Sequence, residues 1–387
     1  MRKLNFVGSN DVQLLHCGAE YFPALIADID QAQQDIYLET YIFSSDPTGL
    51  QVQAALERAA QRGVTVRVIA DWLGSGDRQS QLLLKTFTGA GVEFRCFNPW
   101  FRRGLARTHR KICVIDQKAA LVGGLNVNDD MLSDDEAALP LQFPRWDFAV
   151  RVTGPLVSQI HLEIYAQWLR LGKLALKSRL QLLLDLREEK QADLREPSLA
   201  AFIVRDNLRH RVTIQRAYLQ ALGLARKKAI LANPYFAPGR KFRRALISAA
   251  ARGVDVTLLI GVGQFHLQDA VAHSYYPKLM KYGVKIVEYR KTQLHAKVAV
   301  VDQEWATVGS SNFDGLSLFV NQEANVVIRD AEFARKLTTH LEQGIADGVL
   351  IAIDDYNNKS WYKRAWYGTA YLIYRGLMRI VTLGGYA

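Results

Sequence analysis

The spacing of apolar residues predicts helices and strands that alternate along the chain. In the first half, helical and strand-like stretches follow in the order YFPALIADIDQAQQ, DIYLETYIF, GLQVQAALERAAQRG, VTVRVIADWLG, QLLLKTFTGAG and VEFRCFNP. The second half repeats that order in TIQRAYLQALGLARKK, AILANPYF, KFRRALISAAARG, VDVTLLIGVG, AHSYYPKLMKYG and VKIVEYR. Strands that alternate with helices usually build parallel sheets. We therefore expect an α/β fold of two halves related by a pseudo-two-fold axis, each a mostly parallel β-sheet flanked by helices.

A polar motif follows this series in both halves. Residues 108–126 read THRKICVIDQKAALVGGLN, and residues 294–312 read LHAKVAVVDQEWATVGSSN. The two stretches align without a gap at an offset of 186, and nine of nineteen positions are identical. A lone histidine on a strand is usually structural. Recurrence of His, Lys, Asp, Gly and Asn at fixed spacing favours a catalytic role, because packing alone does not require polar groups at strand ends.

The repeats set the expected domain boundaries. We assign residues 1–170 to the first half, 171–204 to a charged, leucine-rich connector, 205–345 to the second half and 346–387 to an aromatic, basic tail.

Composition narrows the class of partner. The 387 residues are 49% hydrophobic and 22% charged, which indicates a globular protein. The net charge of +11 and the pI of about 9.5 favour an anionic partner, either nucleic acid or anionic lipid. The three cysteines lack disulfide or metal spacing, and we find neither a signal peptide nor a run of some 18 apolar residues. We expect a cytosolic protein or one bound to a membrane surface.

The repeated motif carries candidate catalytic groups. Alternation along a strand puts His109 on the same face as Lys111, and His295 on the same face as Lys297. A neighbouring cation disfavours protonation of an imidazole, which keeps the ring available as a nucleophile. One histidine can attack while the other acts as a general acid.

Amides and carboxylates complete the candidate site. Asn126 and Asn312 follow glycine-containing turns, so with the lysines they can donate to a phosphoryl group in its transition state, and no metal is required to balance its charge. Asp116 and Asp302 have the opposite strand parity and are expected to act as structural supports. The carboxylates that open the next apolar strands, those of Asp147 and Glu323, are expected to orient the histidines.

The tail has an amphipathic pattern. On a helix, Arg364, Arg375 and Arg379 fall within about 60° of one another, and the other side carries aromatic and aliphatic residues. This pattern fits a helix in the headgroup region of a membrane, and equally a C-terminal helix packed on the protein itself.

The two segments match the H-x-K-x4-D…G-[SG]-x-N signature of the phospholipase D superfamily. The stretches LETYIF, AAQRGVTVRV, DFAVRVTGP, ANPYFAPG and WATVGSSNFDGLSLFVNQEANVVI resemble bacterial cardiolipin synthases, most closely those of type B, over roughly residues 8 to 345. The resemblance implies a phosphatidyltransferase that uses a phosphohistidine and no metal or other cofactor. The donor that the resemblance implies is phosphatidylglycerol, whose phosphatidyl group would pass to the hydroxyl of another lipid with release of glycerol. The signature residues implied as catalytic are His109, Lys111, Asp116, Asn126, His295, Lys297, Asp302 and Asn312, with Asp147 and Glu323.

The resemblance favours His109 as the nucleophile, and Ser310, Glu39 and Tyr235 are expected to bind substrate. Ser310 has no hydroxyl counterpart at Gly124, so the walls that face the phosphate should differ between the halves. The implied partners are anionic phospholipids and the cytoplasmic face of the bacterial inner membrane, with no nucleic acid and no oligomer required for catalysis. Two alternatives stay open: a phosphodiesterase of the same superfamily that hydrolyses phospholipid or nucleic acid, and a non-enzymatic membrane scaffold.

Overall fold

A computed structural model of the protein describes residues 4–134, 138–172, 198–207 and 210–381. The first half contains, in chain order, β1 (Asp11–His16), α1 (Cys17–Gln31), β2 (Asp35–Thr40), α2 (Pro47–Gln61), β3 (Thr65–Asp71), α3 (Trp72–Ser75), α4 (Asp77–Gly89), β4 (Glu93–Phe97), β5 (Ile112–Ile115), β6 (Ala119–Gly123), β7 (Phe148–Thr153) and α5 (Leu156–Leu171).

The second half repeats this series of elements. It contains β8 (Leu199–Arg205), α6 (Thr213–Leu224), β9 (Lys228–Asn233), α7 (Arg240–Ala251), β10 (Asp255–Gly261), α8 (His266–Lys281), β11 (Lys285–Tyr289), β12 (Val298–Val301), β13 (Trp305–Gly309), α9 (Gly315–Phe319), β14 (Glu323–Arg329), α10 (Ala331–Ala346), β15 (Val349–Leu350), α11 (Ile353–Asn357) and α12 (Trp361–Val381).

Each half is built on one sheet, and the two sheets have the same strand order. The first runs β1-β7-β6-β5-β2-β3-β4 and the second β8-β14-β13-β12-β9-β10-β11, with β15 added at its edge. Each strand of the first sheet therefore has a counterpart in the second. The predicted α/β class and its two equivalent halves are confirmed.

The prediction that each sheet is mostly parallel is wrong, because both sheets are mixed. The parallel pairs are β2 with β3, β3 with β4, β9 with β10, and β10 with β11. The motif strands β5 and β6 pair antiparallel, as do β12 and β13. Each of these motif pairs is joined by a tight turn, and a connection that short allows only antiparallel pairing.

The aspartates of the repeated motif lie in these tight turns. Asp116 and Gln117 both have positive φ, near 50°, as type I′ hairpin turns require. The Asp116 carboxylate also accepts hydrogen bonds from the backbone N–H groups of residues 33 to 35, at 2.7 to 3.2 Å. Asp302 does the same for residues 226 to 228. Each aspartate thus ties its hairpin to the start of the neighbouring strand.

The core has three parts. Apolar residues between α1, α2 and α4 and the first sheet form one cluster, and those between α6, α7 and α8 and the second sheet form another. A third cluster lies between the sheets and includes Val122 and Val150 of the first half with Val308 and Val326 of the second. Because this cluster is continuous, the two halves share a buried interface.

The boundary before the second half differs from the prediction. Residues 173–197 of the expected connector lie outside the described residues. The end of the expected connector belongs to strand β8, which pairs antiparallel with β14 over its whole length. The second half therefore begins by Leu199 rather than at residue 205. The apolar run LAAFIVR was the signal for this strand.

The tail helix α12 has one face on the protein and another in solvent. Tyr367 stacks on His273 of α8 with ring centroids 4.9 Å apart, and the Tyr374 hydroxyl accepts a hydrogen bond from the backbone N–H of Gly315. Exposed apolar side chains on the remaining face are Trp361, Tyr362, Trp366, Leu372, Ile373, Leu377 and Ile380. No helix among the described residues has the length and apolarity to span a membrane.

Removing either turn aspartate should destabilise the fold. We expect Asp116→Ala or Asp302→Ala to lower the free energy of unfolding by about 1–3 kcal/mol, because several backbone N–H groups lose their acceptor. Asp116→Asn should cost less, since asparagine tolerates positive φ and keeps one acceptor oxygen. Urea unfolding followed by circular dichroism measures both, and an alanine variant as stable as the parent would contradict the supporting role.

Candidate active site

The two motif histidines lie where the halves meet, and backbone hydrogen bonds cross between the halves at both. The His109 N–H donates to the Gln322 carbonyl at 2.9 Å, one residue before Glu323. The His295 N–H donates to the Trp146 carbonyl, also at 2.9 Å and one residue before Asp147. Each histidine is thus placed beside a carboxylate of the opposite half.

The side chains complete this exchange. His109 Nδ1 lies 3.1 Å from Glu323 Oε2 and 3.1 Å from the Ser310 carbonyl oxygen. His295 Nδ1 lies 2.6 Å from Asp147 Oδ2. A carbonyl can only accept a hydrogen bond, so Nδ1 of His109 carries the proton. The four groups are buried, and the sequence did not indicate that the pairs would cross between halves.

Both motif lysines are buried next to the histidines. Lys111 Nζ donates to the His109 carbonyl at 2.7 Å, and Lys297 Nζ donates to the His295 carbonyl. Burial, helped by the Lys297 charge, lowers the pKa of Lys111 to about 7. Burial also lowers the pKa of Lys297 to about 8. Two buried lysines whose charges act on each other form a site that favours an anionic ligand.

The His109 ring is suited to act as a nucleophile. Burial lowers its pKa to about 4, against the Glu323 charge and with help from the Lys111 charge. With the proton on Nδ1, a neutral ring presents an unprotonated Nε2. Among the described residues, none hydrogen-bonds that nitrogen.

The His295 ring has a different environment. Its Nδ1 faces Asp147, and its Nε2 lies 3.2 Å from Asp134 Oδ2. Although burial opposes ionisation, the His295 and Arg145 charges hold the pKa of Asp134 well below its usual range. An ionised carboxylate can only accept a hydrogen bond, so this contact favours the form of His295 that has a proton on Nε2. This ring can serve as a general acid.

Asp134 is a site residue that sequence reasoning missed. Asn128 Nδ2 lies 3.2 Å from its Oδ1 and Arg145 Nη1 lies 3.3 Å from the same oxygen. It lies in the acidic stretch NDDMLSDDE, where neither the repeat nor any spacing distinguishes one aspartate from another. We find no sequence signal that would have selected it.

Both motif asparagines are buried. Asn126 accepts a hydrogen bond from the Ile42 N–H at 3.3 Å and directs its Nδ2 toward Asp134 Oδ1 at 3.5 Å. Asn312 is buried, and within the described ranges its Oδ1 has no hydrogen-bond partner. Asn126 thus lies beside the carboxylate that contacts His295, and donation from the two amides to a phosphoryl group stays a prediction.

Ser310 has a different place from the one expected. Its hydroxyl donates to Glu323 and accepts from the Ala324 N–H at 3.0 Å, and the residue is fully buried. It therefore supports the carboxylate that holds His109. At the matching position, a Cβ on Gly124 would lie 2.3 Å from Asp147 Oδ1. The halves do differ here, but the difference concerns the carboxylates behind the histidines.

The other two expected substrate-binding residues differ in how close they lie to the histidines. Glu39 is 1% exposed and accepts a hydrogen bond from the Thr108 hydroxyl, which leaves it behind the site. The Tyr235 hydroxyl donates to Gln264 Oε1 at 3.3 Å, and this half-buried ring is in electrostatic reach of Asp134. Of the two, only Tyr235 is placed near the cluster.

The motif aspartates are not part of the cluster. Asp116 follows the C-terminal end of β5 and Asp302 that of β12, whereas the histidines precede the opposite ends of those strands. The hydrogen bonds of both aspartates to backbone N–H groups agree with structural support.

Comparison with known proteins shows which family this chain resembles. A family model described as "Cardiolipin synthase, PLD-like domain" matches residues 25–142 and 218–345. Cardiolipin synthase B of Escherichia coli K12 is 41% identical over 355 residues, which cover 89% of this chain and 82% of that protein. The enzyme of the same name from Salmonella typhi is 40% identical over 92% of this chain and 85% of its own length.

The fold also matches a solved structure. The crystal structure of phosphatidylserine synthase from Haemophilus influenzae Rd KW20 superposes with a TM-score of 0.72. The match covers 98% of this chain and 97% of that one at 14% identity, so it supports the fold alone.

Replacing one buried lysine should stabilise the protein while removing its anion-binding charge. We expect Lys111→Met to raise the free energy of unfolding by about 1–3 kcal/mol at pH 7. The folded pKa of Lys111, about 7, lies below the ordinary lysine value of 10.5, so the unfolded chain binds more protons between these two values. The stability of the parent should therefore rise across this window, and the advantage of the methionine variant should shrink.

Urea unfolding of both proteins at pH 7 and pH 9.5 measures this difference. Lys118→Met, an exposed change just beyond β5, serves as the control and should show no such trend. A methionine variant less stable than the parent at both pH values would contradict the unfavourable burial of the Lys111 charge.

Proposed function

The chain belongs to the phospholipase D-like family of cardiolipin synthases, and from that premise we propose that it makes cardiolipin through a covalent phosphohistidine on His109. It is a phosphatidyltransferase. The proposed donor is phosphatidylglycerol, and the proposed acceptor is the headgroup hydroxyl of a second phosphatidylglycerol. One chain carries both motif copies, so we propose that catalysis needs no second subunit.

In the first proposed step, His109 Nε2 attacks the phosphorus of the donor. The bond from phosphorus to the glycerol oxygen breaks as the N–P bond forms, and the proton on His295 Nε2 passes to the departing oxygen. Lys111 and Lys297 hold the phosphoryl oxygens, and the amides of Asn126 and Asn312 donate to the charge that develops there.

In the second proposed step, the lipid acceptor replaces the glycerol. His295 Nε2, now unprotonated, takes the proton of the incoming hydroxyl while its oxygen attacks phosphorus and the N–P bond to His109 breaks. Cardiolipin is formed and both rings return to their starting protonation. Water in place of the lipid hydroxyl gives phosphatidic acid, which is the hydrolytic alternative.

The observation that carries this assignment is the difference between the two rings. In the described part of the chain, His109 has acceptors at Nδ1 and none at Nε2, and its pKa is lowered to about 4, so its Nε2 is a free base near neutral pH. His295 lies between the carboxylates of Asp147 and Asp134, one at each ring nitrogen, and we propose that it begins the reaction with a proton on both. An in-line displacement requires one ring of each kind.

We further propose that α12, in the tail of residues 346–387, holds the enzyme on the cytoplasmic face of the bacterial membrane. Its solvent face carries exposed apolar side chains, with Ile380 and Trp361 each 75% exposed. Arg364, Arg375 and Arg379 line one border of that face, where they can contact anionic headgroups. The opposite face packs on α8, so the helix is fixed to the body of the protein.

A donor with a good leaving group separates the roles of the histidines. With phosphatidyl-p-nitrophenol in mixed micelles, the leaving phenolate needs no proton, so His295→Ala should still form the phosphohistidine. We expect a burst of about one nitrophenolate per enzyme followed by slow turnover. His109→Ala should give no burst. Stopped-flow absorbance measures the burst, and mass spectrometry locates the adduct.

The natural reaction is tested with labelled phosphatidylglycerol and, separately, with plasmid DNA. The parent should yield cardiolipin and glycerol, and either alanine variant should lose at least about a thousandfold in rate. Phosphatidic acid as the sole lipid product, or nicked plasmid, would favour the hydrolase. A burst in His109→Ala and none in His295→Ala would reverse the assignment of the nucleophile.

The membrane role of α12 makes a separate prediction. Ile373→Asp combined with Ile380→Asp should lower binding to anionic vesicles at least about tenfold, because two apolar contacts are replaced by like charges. Leu224→Asp, an equally exposed change at the end of α6, should leave binding unchanged. Vesicle co-sedimentation measures binding. Equal losses in both variants would contradict a specific membrane face.

A further inference from the structure

Asp134 occupies the position beside His295 that an alcohol oxygen must reach during transfer. Its Oδ2 is 3.2 Å from His295 Nε2, the nitrogen that gives a proton to the leaving glycerol and takes one from the acceptor. Resting on the proposed function above, we propose that Asp134 forms a polyol subsite, which recognises a second hydroxyl of the glycerol headgroup next to the reacting one.

The subsite is built from buried polar groups. Arg145 is 5% exposed, and its guanidinium donates to Asn128 Oδ1 at 2.6 Å and to the Leu132 carbonyl at 3.0 Å. Asn128 and Arg145 together hold Asp134 Oδ1, while Oδ2 faces His295. One carboxylate oxygen is thus fixed by the protein, and the other faces the reacting nitrogen.

The charge of Asp134 determines which kind of ligand group fits this subsite. The Asp134 carboxylate is ionised, so it repels a phosphate and accepts hydrogen bonds from neutral hydroxyls. The phosphoryl group is drawn instead to the two buried lysines. When a glycerol hydroxyl displaces Asp134 Oδ2 from Nε2, the neighbouring hydroxyl of the same glycerol can donate to the carboxylate.

This arrangement favours polyols over simple alcohols. A monohydric alcohol can reach His295 Nε2, but it has no second hydroxyl to satisfy the carboxylate that it displaces. An unsatisfied buried charge is costly, and sites built to bind a hydroxyl discriminate strongly against analogues that lack it. Asp134 therefore acts on the choice of acceptor, which neither motif copy specifies.

Competition between two acceptors tests the subsite. Phosphatidyl-p-nitrophenol loads the enzyme in the presence of equal concentrations of glycerol and 1-propanol, and the ratio of phosphatidylglycerol to phosphatidylpropanol is measured by mass spectrometry. The parent should prefer glycerol, and Asp134→Asn should lower that ratio at least about tenfold. The ratio comes from one sample, so it is independent of how much of the variant is folded.

Two further variants make the test decisive. Asn128→Ala removes a hydrogen bond to Asp134 and should lower the ratio by a smaller factor. Asp129→Asn changes a nearby carboxylate that binds the Met131 N–H, and it should leave the ratio unchanged. An unchanged product ratio in Asp134→Asn would overturn the subsite. So would a variant that transfers faster to both alcohols by the same factor, or a parent protein that does not prefer glycerol. Phosphatidic acid alone from the parent would contradict the transferase function instead.

Discussion

The crossed pairing of each histidine with a carboxylate of the other half is the interaction on which the site depends. Glu323 holds His109, and Asp147 holds His295, with both pairs buried between the sheets. Buried ionisable groups are tolerated only with well-placed partners, so neither half alone can present a working ring. The shared core and the backbone hydrogen bonds at Gln322 and Trp146 serve mainly to fix these two distances.

The two motif copies place similar rings at the site, and small departures from symmetry give those rings different surroundings. Gly124 makes room for the Asp147 carboxylate, whereas the matching Ser310 donates a hydrogen bond to Glu323. Asp134 adds a second carboxylate to His295 alone. In this way a symmetric scaffold surrounds its two histidines differently, as the proposed transfer by one base and one acid requires.

Much of the fold could be read from local patterns. Periodicity predicted most helices and strands, and the repeat predicted two halves. The same patterns did not reveal strand direction, because it depends on the length of the turn at Asp116 rather than on apolar spacing. The motif identified the histidines, lysines and asparagines. It did not reveal which carboxylate meets which histidine, since alternation fixes the face of a strand but not its partner across an interface. Asp134 has no counterpart in the repeat and was missed for that reason.

The crossed hydrogen bonds also limit how a lipid can be handled. If the halves swung apart, His109 would separate from Glu323 and His295 from Asp147, and both rings would lose the partners that set their protonation. Opening the halves around an acyl chain would therefore break both pairs. A lipid that binds without such opening presents its headgroup to the histidines between joined halves, so the ligand has to rearrange rather than the fold.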